Sequence, residues 1–425
     1  MPTSGYADDP VNVGTGNFVE PEVDLAFAGG CASLAFTRMY NSLDSGAGLF
    51  GAGWSSILEQ TVEFTDTGAS WHMPDGRRVV FPRFSEDGTA AAIGENYWLA
   101  SEDAQLLVRD NQGAWHRFSL AGQWLGSGSG AGTAIEVLRD HTGLVTELRH
   151  ERGRSIQVCY RDQQVAGLRA SDGRQVSYSY DDRHRLVGVT TETGTRHYRW
   201  TDTDLIDQVV SATGVVEAEN TYDDQRRIST QRSPFGRVSR YAYLPGGVTV
   251  VSDAEGNESN IWITDPRGRL VSVVDSDDAR QSLSYDRQGN LVMVTARDGA
   301  VTVHSYDARG RRLRTVTAGG ADLQWEYDDA DRVTAVITAS GAFTQYRYHN
   351  ADRNPSTMID PTGGITEMTW SQGLLTRIVD GGRNTDFYTC ESKATGLLKA
   401  GDRRWVSYPG GSTSDMGDSE RQPSD

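Results

Sequence analysis

The chain has 425 residues, enough for two or three ordinary domains or for one extended repeat body. Its 58 Asp and Glu against 41 Lys and Arg give a net charge of −17, which opposes unassisted binding to nucleic acid or to anionic lipid. Cys31, Cys159 and Cys390 lie too far apart to indicate a disulfide framework or a CxxC metal site, and we expect them to be small buried or incidental residues.

The N-terminal stretch MPTSGYADDPVNVGTGNF lacks the basic and apolar regions of an export signal. The rest of the sequence contains no run of about 18 apolar residues. We therefore expect no membrane span and no ordinary signal peptide, so that work outside the cell would need another export route or an N-terminal portion that this sequence lacks. We assign residues 1–8 to a disordered leader.

Residues 9–85 and 86–150 alternate apolar and polar residues between Gly-rich turns, which is typical of strands. We predict a β-rich N-terminal module over 9–85 and a β-rich connecting region over 86–150. Within the connecting region, GSGSGAG at 126–132 has the composition of a flexible loop. No GK[ST] follows it and it opens no helix, so it predicts neither a P-loop nor a dinucleotide site.

Residues 151–382 repeat with a spacing of 20 to 22 residues. The equivalent positions, which we call the anchors, are Tyr160, Tyr180, Trp200, Tyr222, Tyr243, Thr264, Tyr285, Tyr306, Tyr327, Tyr348 and Trp370. A second aromatic often stands two residues before the anchor, on the same face of a strand. Residues that tolerate positive φ stand four residues after it: His184, Asp204, Gly247, Gly268, Gly289, Gly310, Asp331 and Asp352.

One unit therefore contains two short strands and two turns, which is too small to bury an aromatic face alone. Neighbouring units must stack into a continuous sheet. We predict an all-β fold, a spiralling ribbon of stacked β-hairpins with a stripe of stacked rings, preceded by the β-rich module. The repeat stops after residue 382, and the polar segment 383–425 is predicted to be a variable, largely disordered tail.

The polar residues that follow the anchors permit a structural and a functional interpretation. Each acid could take part in catalysis, but the same residue in every unit favours Asx turns, because a catalytic pair needs one special geometry. The acids also lack the dense DxDxDG pattern of a calcium site. The repeat residues singled out are Tyr180 with Asp181, Tyr222 with Asp223, Tyr285 with Asp286 and Gly289, Tyr306 with Asp307 and Gly310, Tyr327 with Asp328, and Tyr348.

Arginines after the turns could bind an anionic ligand, although ion pairs with the neighbouring aspartates or packing on the rings are favoured. They are Arg185, Arg227, Arg269, Arg311 and Arg332. The eight histidines form no HExxH motif and no zinc-spaced cluster, and there is no GxSxG elbow. We therefore predict no catalytic residue, no metal, no cofactor and no enzyme activity.

Three N-terminal stretches, DPVNVGTGNFVEPEVDL (9–25), LAFTRMYNS (34–42) and GLFGAGWSS (48–56), resemble the conserved N-terminal module of Rhs proteins. The later units resemble the tyrosine-aspartate (YD) repeats of Rhs and teneurin shells, so that the resemblance covers residues 9 to about 380. It implies a hollow β-shell, which in Rhs toxins encloses a variable C-terminal toxin used against competing cells and in teneurins serves adhesion. The chain is short for a full shell, which suggests a truncated shell fragment.

The resemblance implies as partners a C-terminal toxin domain or the remaining shell segment, an immunity protein and a secretion apparatus. It also implies a secreted or cell-surface location after synthesis in the cytoplasm. The alternative is an adhesion module that binds carbohydrate or a partner surface. No Rhs-type autoproteolysis motif stands near the C-terminus, and Asp360 and Pro361 of DPTGG are expected to be turn residues in register with the repeats.

Four residues of the N-terminal module are singled out: Arg38, Tyr40, Asn41 and Trp54. In the functional interpretation they form a plug or docking surface at the open end of the shell. In the structural interpretation Tyr40 and Trp54 fill a core, while Arg38 and Asn41 satisfy nearby turns.

Overall fold

The computed structural model describes residues 4–8, 10–27, 34–129, 134–256, 259–350, 352–371, 374–381, 383–389, 403–407 and 413–415. These residues form β-strands and one short 3₁₀ helix, Ile57–Glu59. The N-terminal module contains β1 Tyr6–Ala7, β2 Val11–Asn12, β3 Val19–Phe27, β4 Leu34–Asn41, β5 Ala47–Gly48, β6 Gly51–Ala52, β7 Trp54–Ser56, β8 Thr61–Thr65, β9 Gly68–His72 and β10 Arg78–Pro82.

The connecting region contains seven strands. They are β11 Thr89–Ala91, β12 Tyr97–Glu102, β13 Gln105–Asp110, β14 Ala114–Ser119, β15 Trp124–Ser129, β16 Ala134–Arg139 and β17 Val145–His150. The first half of the repeats contains β18 Ser155–Arg161, β19 Gln164–Ala170, β20 Gln175–Tyr180, β21 Leu186–Thr191, β22 Gly194–Trp200, β23 Ile206–Val210, β24 Val216–Tyr222, β25 Ile228–Arg232, β26 Val238–Leu244, β27 Val248–Ser252 and β28 Ser259–Thr264.

The second half of the repeats continues with the same alternation of strands. It contains β29 Leu270–Val274, β30 Arg280–Tyr285, β31 Leu291–Thr295, β32 Val301–Tyr306, β33 Arg312–Thr317, β34 Asp322–Tyr327, β35 Val333–Thr338, β36 Phe343–Tyr348, β37 Pro355–Ile359, β38 Ile365–Ser371 and β39 Leu374–Asp380. The strands β40 Arg383–Thr389, β41 Arg403–Ser407 and β42 Thr413–Asp415 follow.

Strands β11 to β42 form one antiparallel sheet in which every strand pairs with its neighbours along the chain. Smaller sheets, β3-β4-β7 and β8-β9-β10, make up most of the N-terminal module. The predicted all-β ribbon of hairpins is confirmed. In the described part of the chain there is no helix of the length and apolar character that crossing a bilayer requires.

The ribbon is curved, and a β-bulge recurs along it at a regular interval. The strand pairing shifts by one residue immediately before most anchors, for example between Ser179 and Tyr180 and between Ser305 and Tyr306. Such a bulge bends the strand and increases its twist. Repeated in nearly every unit, it turns the ribbon back on itself, so that Asn96 contacts Asn290 across 194 residues of sequence.

The concave face of the ribbon is covered over only part of its length. The N-terminal module packs against the first repeats, where Tyr178, Tyr198 and Tyr241 are buried. On the same face of later repeats, Trp325 and Tyr346 are only half-buried. The hydrophobic core therefore lies between the N-terminal module, the connecting region and the early repeats.

Two expectations differ from the structure. Tyr6–Ala7, placed in the disordered leader, pair with Val11–Asn12 as β1 and β2. Residues 126–129 of the predicted flexible loop belong to β15 instead. A Cβ at Gly126 would collide with the carbonyl of Ile135, so the glycine permits close strand pairing, while residues 130–132 lie outside the described residues.

Of the two alternatives predicted for the cysteines, buried or incidental, Cys159 is not the buried one, because it is exposed and free. Its strand alternates inward and outward side chains, and residue 159 falls on the outward face. Cys31 and Cys390 lie outside the described residues. The predicted disordered tail, 383–425, also lies largely outside them, apart from β40, β41 and β42.

Candidate functional site

The anchors tie each unit to the preceding hairpin through one hydrogen bond. The hydroxyls of Tyr180, Tyr306 and Tyr348 donate to the carbonyls of Val165, Leu291 and Val333 over 2.7, 2.9 and 2.6 Å, each 15 residues earlier. The other aromatic anchors make the equivalent bond, with indole nitrogens as donors at the tryptophans: Tyr160, Trp200, Tyr222, Tyr243, Tyr285, Tyr327 and Trp370. Each aromatic anchor thus satisfies a carbonyl at the start of the preceding odd-numbered strand.

The predicted stripe of stacked rings is wrong. Successive anchors are two strands apart, about 10 Å, which is too far for their rings to touch. An arginine fills the gap: the Arg227 guanidinium lies 4.3 Å from the Tyr243 ring centroid and that of Arg332 lies 4.5 Å from Tyr348. Arg185, Arg269 and Arg311 lie in the same way over Trp200, Tyr285 and Tyr327.

The aspartates close the turns that follow the anchors, which we call the anchor turns. The Asp307 Oδ1 atom accepts the amides of Arg309 and Arg311, both over 2.9 Å. Its Oδ2 atom pairs with the Arg311 guanidinium over 2.6 Å. Burial works against ionisation, yet the hydrogen bonds from Arg311 lower the pKa of Asp307 below its usual value. Asp181, Asp223 and Asp328 have the same partners in their own units.

Asp286 differs, because Asn290 occupies the place of the arginine. The Asn290 side chain donates to Asp286 Oδ2 over 2.8 Å, and its Oδ1 atom accepts from Asn96 over 2.7 Å. The change from arginine to asparagine therefore brings a hairpin of the connecting region onto this anchor turn.

Positive φ occurs four residues after the anchor at seven of the eight predicted positions, including His184 at 60° and Asp331 at 61°. The exception is Asp352, since Asn350 takes the positive φ of 48° in that turn. At positions 289 and 310 there is a second structural reason for glycine. A Cβ there would collide with the Gly94 carbonyl and with the Asn96 side chain, whereas nothing lies within 4 Å of a Cβ at Gly268.

Arg38 is buried at the interface between the N-terminal module and the repeats. Its guanidinium pairs with Asp24 over 2.8 Å, donates to the Tyr198 hydroxyl over 2.9 Å and lies 4.2 Å from the Trp54 ring centroid. Burial would lower its pKa, but Asp24 raises the pKa above the usual value, so the charge is retained. The Tyr178 hydroxyl donates to the same carboxylate over 2.7 Å.

Tyr40 and Trp54 fill the core beside this ion pair. The Tyr40 hydroxyl accepts the Ile206 amide over 3.1 Å, and its ring meets Trp200 edge-on at 5.7 Å. Asn41 is half-buried and connects two turns of the module, since it accepts from Asn17 over 3.0 Å and donates to the Asp75 carbonyl over 3.1 Å. The four predicted residues therefore lie together, with three of them at the contact with the repeats.

The loop at residues 11–18 packs onto the repeats where one anchor is not aromatic. A Cβ at Gly14 would lie 3.0 Å from Thr264 Cγ2, and a Cβ at Gly16 would meet Arg227. The small threonine leaves room for this loop. Thr264 is the one anchor that is not aromatic, and this break in the repeat pattern is the sequence signal of a long-range contact.

The described residues contain no group of three or more His, Cys, Asp or Glu side chains able to hold a metal ion. Asp360 Oδ1 accepts the amides of Thr362 and Gly364 over 2.7 and 2.9 Å, which makes it a turn residue. The chemistry of the anchor turns is thus that of paired charges and satisfied backbone groups.

Comparison with known proteins finds two families whose models match separate segments of the chain. Residues 8–81 match the family described as "Domain of unknown function (DUF6531)". Residues 161–196, 265–301, 285–322 and 327–365 match the family described as "RHS Repeat". The matched segments include Arg38, Asp24 and Trp54 and most of the anchor turns, whereas Tyr198 lies outside them.

Curated relatives are longer than this chain. It is 26% identical over 337 residues to "Probable deoxyribonuclease RhsB" of Dickeya dadantii, covering 64% of this chain and 22% of the relative. It is 25% identical over 323 residues to "tRNA nuclease WapA" of Bacillus subtilis, covering 65% and 13%. The chain therefore spans less than a quarter of the length of either relative.

One solved structure with a similar chain is entitled "Crystal Structure of TcdB2-TccC3". The similarity has a TM-score of 0.35 and 14% identity, and covers 83% of this chain and 21% of the other.

Proposed function

This chain belongs to the Rhs/YD-repeat proteins, and we propose that it forms part of the wall of a toxin shell that encloses or presents a C-terminal effector. The nuclease names of the relatives refer to proteins several times longer than the matched region. We assign the catalysis to a separate effector segment and a non-enzymatic role to this chain. Contact-dependent competition between cells would be the use of the whole protein.

The observation that carries the proposal is the partly uncovered concave face of one continuous sheet. Over the early repeats that face is sealed by the N-terminal module, with Tyr178 and Tyr198 buried. From Leu283 onward it is half-exposed, as at Trp325 and Tyr346. A ribbon that is closed at its beginning and open along its later inner face suits an enclosing wall whose contents contact the later repeats.

Protection from proteolysis tests this proposal. The segment encoded directly downstream of the repeats is expressed with and without this chain, and both samples are treated with trypsin. We expect the segment to survive at least about tenfold longer when the chain is present. Equal digestion in the two samples would show that the chain encloses nothing. A physically mixed sample of the two purified parts serves as the control for nonspecific protection.

Adhesion is the second candidate, and a concavity of about 490 Å³ near Trp325, Tyr306 and Tyr327 favours it. Half-exposed rings beside arginines provide stacking surfaces for a sugar or a partner side chain. A glycan array distinguishes the two functions. Saturable binding that a Trp325→Ala variant loses would support adhesion, and its absence would leave the shell function.

For the whole protein we propose an immunity protein and a secretion apparatus as further partners. The location we propose is outside the producing cell or on its surface, after synthesis in the cytoplasm. These proposals rest on the similarity to the nucleases RhsB and WapA, not on any contact within this chain.

A further inference from the structure

A cleft of about 530 Å³ lies where the connecting region meets the anchor turns of later repeats. Its apolar part contains Val80, Ile93 and Tyr97, and its polar part includes Arg78, Arg267 and Gln112. A volume of this size is in the range of pockets that bind small organic molecules. Neither the shell function nor the turn chemistry uses this cleft.

The apolar part is unusual because two aliphatic side chains are exposed inside a concave site. Ile93 is 62% exposed and Val80 49%, whereas Tyr97 is half-buried with its ring 5.3 Å from Trp71. The Ile93 amide donates to the Val80 carbonyl over 2.9 Å, so backbone pairing keeps both residues on one surface. Contact with an apolar ligand would remove this surface from water, which is favourable.

The charges around the cleft leave two arginines without a carboxylate. Arg77 forms an ion pair with Glu95, and Arg269 forms one with Asp265, each with a nitrogen–oxygen distance of 2.7 Å. The charges of those two acids are therefore neutralised. Arg78 and Arg267, by contrast, have no ion-pair partner among the residues that the structure describes.

Asp110 is the remaining acid of the lining, and its Oδ1 atom accepts the amides of Gln112 and Ala114 over 2.9 and 2.8 Å. The Arg267 Nη1 atom donates to the Arg287 carbonyl over 3.2 Å and retains further donors. The cleft is therefore locally basic in a chain of net charge −17.

We propose that this cleft binds a single-chain amphipathic anion, an aliphatic carboxylate of about ten carbons. The carboxylate would accept hydrogen bonds from Arg78 and Arg267, whose guanidinium groups suit planar oxyanions. The aliphatic chain would cover Val80 and Ile93 and contact the Tyr97 ring. Since Arg78 belongs to the N-terminal module and Arg267 to an anchor turn, the ligand bridges the two parts and stabilises their contact by linkage.

Decanoate below its micellar concentration is the probe, titrated into the full chain by calorimetry with thermal unfolding as a second readout. We expect saturable binding of one decanoate per chain and a higher Tm in its presence. Arg267→Gln should weaken binding about tenfold, because a charge-assisted hydrogen bond is lost. Ile93→Asp should weaken it at least as much, because a carboxylate then faces the ligand.

Two variants outside the cleft serve as matched controls: Arg161→Gln removes an exposed arginine, and Val23→Asp changes an aliphatic residue that is 60% exposed. Both should bind decanoate within about twofold of the parent chain, which marks the cleft as the source of the affinity. Uncharged 1-decanol should bind at least about tenfold more weakly than decanoate. Equal affinity for decanol, unchanged binding by the two cleft variants, or no saturable decanoate binding would each overturn the proposal.

Discussion

Replacing Gly289 and Gly268 by alanine distinguishes the two reasons for glycine in the anchor turns, namely the positive φ and the close approach of the hairpin at residues 94–96. Both residues have positive φ, 88° and 76°, so alanine costs about 1 kcal/mol of folding free energy at either position. Only at Gly289 would the new Cβ collide with a backbone carbonyl, that of Gly94. Overpacking of this kind adds about 1–3 kcal/mol. We therefore expect a loss of about 2–4 kcal/mol for Gly289→Ala, against about 1 kcal/mol for Gly268→Ala.

Urea unfolding followed by tryptophan fluorescence measures the total effect, and hydrogen exchange localises it. Long repeat arrays need not unfold in a single step, so the midpoint of each transition is compared rather than one free energy. Amides of residues 92–97 should exchange faster in Gly289→Ala than in the parent chain. In Gly268→Ala their exchange rates should be unchanged. Equal destabilisation by the two substitutions, with no local change near Gly94, would refute the contact between the hairpin and the anchor turn.

Three further predictions each concern one side chain. Arg38→Met should cost about 3–5 kcal/mol, because Asp24 is left buried without its cation, and adding Asp24→Asn should recover part of the loss in urea unfolding. Tyr306→Phe should cost about 1 kcal/mol and leave the fold intact by circular dichroism, since one hydrogen bond is lost. Burial lowers the pKa of His116 from 6.5 to about 4, so its contribution to stability is complete above pH 6.5 and falls by about 2–3 kcal/mol as the pH drops to 4. His116→Gln should remove most of the loss of stability between pH 6.5 and pH 4. If stability depends on pH in the same way in this variant and in the parent chain, the loss does not come from His116.

The interactions within one unit could be predicted from the sequence because they are local and repeated. The aspartate, the arginine four residues later and the residue with positive φ all lie in one short turn, so composition and spacing specify their geometry. Asp307 and Arg311 illustrate this, with the ion pair closed inside five consecutive residues. The alternation of short strands is local in the same sense, and the all-β fold followed from it.

Contacts made by the curved ribbon could not be predicted, because curvature accumulates over many units from bulges that no residue type specifies. The bulge before Tyr306 and the contact of Asn96 with Asn290 belong to this class. The stacked rings were wrongly predicted because the number of residues in a repeat does not determine how far apart the anchor rings of successive units lie in space. Thr264 and Asn290, which break the repeat pattern, were the signals of these long-range contacts.

The contact of Gly94 and Asn96 with Gly289 and Gly310 also limits how the gene can gain or lose units. Deletion of one 21-residue unit between Tyr180 and Tyr285 would bring Gly310 to the place of Gly289 and Asp331 to the place of Gly310, where glycine is required. A duplication there would bring Gly268 to the place of Gly289, and either change would move Asn290 away from Asn96. Units added after Asn350 would leave that pairing intact. Length variation among close homologues should therefore concentrate on the C-terminal side of this contact.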